Sequence, residues 1–290
     1  MDFVPNEPTA GYQKLQIGDL EAIIISDGWV GFDPSIYGTN APEGAVQQVM
    51  EANSLPSQMV ASTANILLLR HDGKTALVDT GWGQFAMPDS PSYAGRLLPT
   101  LQALDVTAES VDRVIMTHFH PDHIGGLAQD GKATFPNAQV LFPKVEMDFL
   151  DRGPTGSPLD PFIELANSKL DIVKDTDQLQ LYDHEDILMP GVQAVAAPGH
   201  TPGHFALLMN GDGHRLMHLV DIAHHFLVSL KYPTFQMAFD SMPDVAVETR
   251  QTMLSLVAEQ KMQVLGYHFP FPGVGYIAKD GEGFRFLPTT

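Results

Sequence analysis

The chain has 290 residues, 44% of them hydrophobic, with 35 acidic against 16 basic residues and a formal charge of −19. Such a surface repels phosphate backbones, which weighs against nucleic acid as a partner. It has no cysteine, so disulfides, thiolate metal sites and a cysteine nucleophile are excluded, and any metal must be held by nitrogen and oxygen.

Met1–Tyr12 carries no basic residue and no apolar run, so it does not read as a secretory leader, and a cytoplasmic location is expected. No stretch is apolar for long enough to suggest a membrane partner. Leu15–Ile17 and Ala22–Ser26 read as strands joined at Gly18-Asp19. Ala45–Ala52 presents one apolar helical face. His71-Asp72-Gly73-Lys74 separates the apolar runs Ile66–Leu69 and Ala76–Val78 and predicts a hairpin. Leu98–Leu104 reads as a helix, Val111–Met116 as a buried strand and Val145–Leu150 as another helix. Asn210-Gly211-Asp212-Gly213 predicts a second hairpin, between Phe205–Leu208 and Leu216–Val220. Val245–Lys261 is the clearest helix, and Asp280-Gly281-Glu282-Gly283 marks a last turn. No linker or charge block divides the chain, so residues 1–290 are expected to form a single domain. Hairpins alternating with helices predict an α/β architecture, two sheets sandwiched between helices.

The segment Thr117-His118-Phe119-His120-Pro121-Asp122-His123-Ile124-Gly125-Gly126 directly follows the strand read at 111–116. His118 and His120 are two apart, so in an extended segment both imidazoles point to one side and can reach one ion. Pro121 breaks that pattern. Asp122 and His123 then face another direction, toward a second ion. Packing gives no reason for such a cluster.

The H-x-H-x-D-H pattern resembles that of the metallo-β-lactamase superfamily. Val78-Asp79-Thr80-Gly81, Ala197-Pro198-Gly199-His200-Thr201-Pro202-Gly203-His204, Val220-Asp221 and Gly266-Tyr267-His268 resemble its other landmarks, in the same order. The resemblance implies an αββα sandwich of two mixed β-sheets flanked by helices. It implies one ion on His118, His120 and His200, another on Asp122, His123 and His268, and Asp221 bridging them. Zinc suits this donor set, and manganese, cobalt or iron also fit. Asp122 and Asp221 are the catalytic candidates. Asp79 and Thr201 are expected to brace the ligands from behind. Trp82, Phe119, His224, His225 and Phe269 are the pocket candidates, with Phe85, Phe226 and Phe271 as further aromatics. His204 and His218 read as structural.

Within the superfamily, the tail His268-Phe269-Pro270-Phe271-Pro272-Gly273-Val274-Gly275, with Phe239-Asp240-Ser241 and Ser26-Asp27-Gly28, resembles methyl parathion hydrolase and related lactonases. Val220 departs from the family, much of which has glycine there. The resemblance implies a binuclear hydrolase, possible as a homodimer, that uses metal-activated hydroxide on a small, neutral, partly apolar substrate: an organophosphate triester, a lactone such as an acyl-homoserine lactone, or an aryl ester. A thioesterase of the glyoxalase II type or a β-lactamase is the alternative, though anionic substrates want a basic clamp and only Lys231 and Arg250 lie near. A metal-stabilised binding protein is the non-enzymatic alternative.

Overall fold

The computed structural model describes residues 11–85, 87, 89–154 and 156–289; most of the stretch read for a leader lies outside them. Two sheets dominate. In the first, the main strands lie side by side in chain order: Tyr12–Ile17, Leu20–Phe32, Val60–His71, Lys74–Val78, Arg113–Ile115, Gln139–Pro143 and Leu179–Tyr182. Its early pairings are antiparallel and those from Lys74–Val78 onward are parallel. The second runs from Ile187–Met189 through Val192–Ala196, Phe205–Gly211, His214–Val220, Gln263–Gly266 and Val274–Asp280 to Gly283–Pro288.

Side chains alternate across a strand, so a strand apolar on both faces serves two layers. In Leu20–Phe32, Ile23 and Ile25 join the core under the helices, while Ala22 and Ile24 face the second sheet. Leu68 and Leu67 divide in the same way. Helix Asp160–Asp175 closes one side with Ile163, Ala166, Leu170 and Val173. Helix Pro243–Glu259 closes the other with Met253, Leu254 and Val257. Helix, sheet, sheet, helix is the layering expected. The four turns close hairpins in the places read for them, with Ile17 opposite Leu20, His71 opposite Lys74, Gly211 opposite His214 and Asp280 opposite Gly283. Helix Asp160–Asp175 is the main element the sequence reading missed, because its narrow apolar stripe is set among charged residues.

Parallel neighbours end at the same edge. Lys74–Val78 pairs in parallel with Arg113–Ile115, and His214–Val220 with Gln263–Gly266. Asp79, Thr117-His118, Asp221 and His268 all follow the ends of these strands, so both sheets deliver side chains to one rim.

Candidate metal centre

Arg113–Ile115 hands over to an extended segment, and His118 and His120 leave it before Pro121 opens the short helix Pro121–Ile124. That helix brings His123 beside the first pair, its ring centroid 4.0 Å from that of His118. Among the described residues four groups of three have donor atoms close together: His118, His120 and His200; His118, His123 and Asp221; Asp122, His123 and His268; and His200, His224 and Asp240. His120 Nδ1 is 2.7 Å from His200 Nε2. Asp221 sits between the groups: Oδ2 is 3.2 Å from both His200 Nε2 and His268 Nε2, and Oδ1 is 3.3 Å from His123 Nε2. Asp122 Oδ2 lies 3.4 Å from His268 Nε2 and 3.6 Å from His123 Nε2.

Four of the ligand candidates, His118, His123, His200 and His268, are held from behind. His123 Nδ1–H donates to Asp79 Oδ2 at 2.8 Å, and the Thr117 hydroxyl donates to the same oxygen at 2.8 Å. His118 Nδ1–H reaches that hydroxyl at 3.1 Å, so Asp79 orients two ligands. His200 Nδ1–H donates to Asp240 Oδ1 at 2.9 Å, and His268 Nδ1–H to Thr63 O at 2.7 Å. Such outer partners fix tautomer and ring orientation, leaving the other nitrogen free for an ion. Asp79 therefore stands behind His123 and Thr117. Thr201 is buried with its hydroxyl beside the Glu146 carboxylate. It braces the loop through its carbonyl, which accepts from Gly199 N–H at 3.0 Å. Asp240 and Thr117 were given no role from sequence, although Asp240 lies in a quoted motif.

His204 Nδ1–H donates to Ala197 O at 2.9 Å, which leaves Nε2 to accept Asp221 N–H at 3.1 Å. It ties the His200 loop to Asp221, in keeping with the structural reading. His218 is buried and bonded to Leu265 O at 3.1 Å.

The centre fits divalent ions. His118 Nε2, His123 Nε2 and Asp221 Oδ1 are buried and aimed at its middle without hydrogen-bond partners. Leaving one buried polar atom unpaired costs about 1–3 kcal/mol, so three converging on one point call for a cation. Imidazole nitrogen and carboxylate oxygen are donors for such ions. Burial holds His118 and His120 well below the ordinary histidine pKa. It pulls on His123 and His200 too, but the neighbouring carboxylates outweigh it, and His200 is raised to about 9.

A cleft opens onto this rim. The pocket candidates Trp82 and His224 line it, along with Phe32, Met87, Phe162, Met237 and Phe239, which no local pattern singled out. Phe119 and Phe269 do not line it; both are fully buried, packed into the cores beneath the first and second sheets, because the ligand histidines beside them take the rim. His225 is also outside the lining: its Nδ1 turns inward and accepts from Leu227 N–H and Val228 N–H at 3.2 and 3.1 Å. Phe85 stacks on Trp82, Phe226 packs under the second sheet and Phe271 between the sheets. Arg250 is buried, donating to the carbonyls of Ile222 and Pro233 at 2.8 and 3.0 Å. No lysine or arginine lines the cleft among the described residues.

The sequence model of the metallo-beta-lactamase superfamily matches residues 60–214. AidC, a dizinc quorum-quenching lactonase solved with a product, superposes at a TM-score of 0.88 with 27% identity, over 97% of this chain and 98% of that one. The hydrolase AbOPH of the beta lactamase superfamily gives 0.88 and 25% identity, over 98% and 99%. A hydroxyacylglutathione hydrolase of Photobacterium profundum is 34% identical over 119 residues, 41% of this chain but only 36% of that protein's length.

Proposed function

The chain belongs to the metallo-beta-lactamase superfamily, and on that basis we propose that it is a binuclear metal-dependent hydrolase of small neutral ester-type substrates, foremost lactones, with aryl esters and organophosphate triesters in the same chemical range. In this reading His118, His120 and His200 would hold one divalent ion, Asp122, His123 and His268 the other, and Asp221 both, zinc being the first choice. Bound there, the ions supply Lewis acidity toward the carbonyl or phosphoryl oxygen and bring the pKa of water toward neutrality.

The chain's own residues do the rest. Trp82, Phe32, Phe162, Met237 and Phe239 exclude water and seat the apolar part of the substrate. Asp122 lines the same cleft, and its carboxylate would take the proton of the attacking water. His224 Nε2 lies 3.4 Å from Asp221 Oδ2 on the cleft wall, within reach of a substrate oxygen there.

The observation that carries the reading is the cleft's lining, aromatic and thioether walls around the ligands with no lysine or arginine among the described residues. An anionic thioester or β-lactam would meet no lysine or arginine in this lining among the described residues, since Arg250 is committed to backbone carbonyls. The likeness to AidC supports the lactone, and the tail motif supports the phosphotriester. The thioesterase reading draws on the glutathione hydrolase match. Measuring kcat/KM of the zinc-loaded protein on an acyl-homoserine lactone, a dimethyl aryl phosphotriester, an aryl ester and a glutathione thioester decides between them. A neutral substrate should lead by about tenfold or more, about 1.4 kcal/mol of transition-state preference; a leading thioester, or no turnover, refutes the reading.

A further inference from the structure

Glu146 stands in the first turn of helix Lys144–Leu150 and is fully buried. It belongs to none of the motifs and does not line the cleft. Its Oε1 accepts Phe119 N–H at 3.2 Å, and its Oε2 accepts Gly203 N–H at 2.7 Å. Phe119 separates His118 from His120, and Gly203 lies three residues after His200 in the next ligand loop. One carboxylate therefore grips both backbone segments that carry these three histidines. The grip is tight: a Cβ at Gly203 would fall 2.3 Å from Glu146 N, so only glycine admits this approach.

The triad of Asp122, His123 and His268 is held by other groups, of which Asp79 also reaches His118 through Thr117. Asp79 holds His123, Thr63 O holds His268, and the Tyr267 hydroxyl donates to Asp122 O at 2.6 Å. None of these bonds involves Glu146. A buried carboxylate is costly unless its oxygens are bonded, and here both oxygens bond to ligand-bearing loops.

We propose that Glu146 is a positioning residue that sets the spacing between the His118–His120 segment and the His200 loop, and so tunes the affinity of one ion while leaving the other unaffected. This rests on the two-ion centre proposed above, and the experiment separates the two ideas. The zinc-loaded full chain, wild type, E146Q and E146A, is titrated with a chelator while released zinc is counted. G203A attacks the same contact from the opposite side and keeps the test open should E146A not fold. Wild type should hold two ions; a count below two refutes the centre and the proposal with it. With two ions in the wild type, the variants should surrender one of them at roughly tenfold to hundredfold lower chelator, the range seen for outer-shell ligand partners, and the other at the wild-type concentration. E146Q, which keeps one acceptor oxygen, should fall between wild type and E146A. Equal weakening of both ions, or no weakening, overturns the assignment while leaving the centre intact.

Discussion

At Val220 the backbone has φ of +50°, the left-handed region, which is unfavourable for a β-branched residue. The twist turns Asp221 N–H toward His204. It also gives the family's usual glycine at this position a physical reason, since glycine adopts that region without steric cost. Replacement by glycine also removes a fully buried side chain, so the informative comparison is with alanine. In ordinary backbone, alanine is more stable than glycine; here V220G should exceed V220A by about 1 kcal/mol, read from denaturant melts under one metal condition. The usual order would show that the strain is illusory. At Asp221, which both triads approach, D221N should lose more than about 100-fold in kcat/KM, beyond the loss for a mere outer partner, together with bound metal measured by elemental analysis. Full turnover with full metal would remove Asp221 from the centre.

Among the elements, the short helix Val228–Lys231 is capped by a side chain that must be uncharged. His225 Nδ1 accepts two backbone N–H groups, and Ser229 Oγ accepts His225 N–H in return at 3.1 Å. Burial lowers the His225 pKa from 6.5 to about 4, in keeping with an imidazole that accepts. The unfolded chain then binds a proton between those values that the folded chain does not. Stability from this group is complete above about 6.5 and is lost as pH falls toward 4, roughly 3 kcal/mol in all. H225N, which can still accept through its side-chain oxygen, should show a shallower fall of unfolding free energy over this window than wild type. Identical slopes would place the proton elsewhere. The elements themselves were largely legible: turn glycines and aspartates mark the hairpins, and unbroken apolar runs mark strands buried on both faces. Helix Asp160–Asp175 was not, because a helix whose outer face is densely charged shows only four well-spaced apolar residues to the core.

The protein gathers buried histidines and carboxylates from both sheets at one rim, several with no partner for their inward atoms. Ions that bind the folded chain alone therefore add to its stability. Chelation should lower the unfolding free energy by about 4 kcal/mol for each ion that was present at about a thousand times its dissociation constant. Zinc should restore both melting temperature and activity. A chelated protein with unchanged melting would mean that the cluster is stable without ions. No helix among the described residues is long and apolar enough to cross a membrane.

What is local was already written in the order of the residues. Alternating contacts in an extended segment place His118 and His120 on one side, Pro121 and the short helix bring His123 beside them, and tight turns register the strands, all within a few residues. The order of the remaining landmarks pointed to their partners only by resemblance. Convergence belongs to the folded chain. His200, Asp221 and His268 meet the motif because parallel strands from two sheets end at one rim, and spacing along the chain carries no trace of that. The same holds for Glu146 and Asp240, whose carboxylates matter through backbone and ring partners far away in sequence. It holds as well for the cleft wall, where Phe119 and Phe269 were expected and Phe32, Phe162 and Phe239 stand. An aromatic beside a ligand looks like a pocket residue from sequence, but which face of the backbone the ligand occupies sends its neighbour into the core.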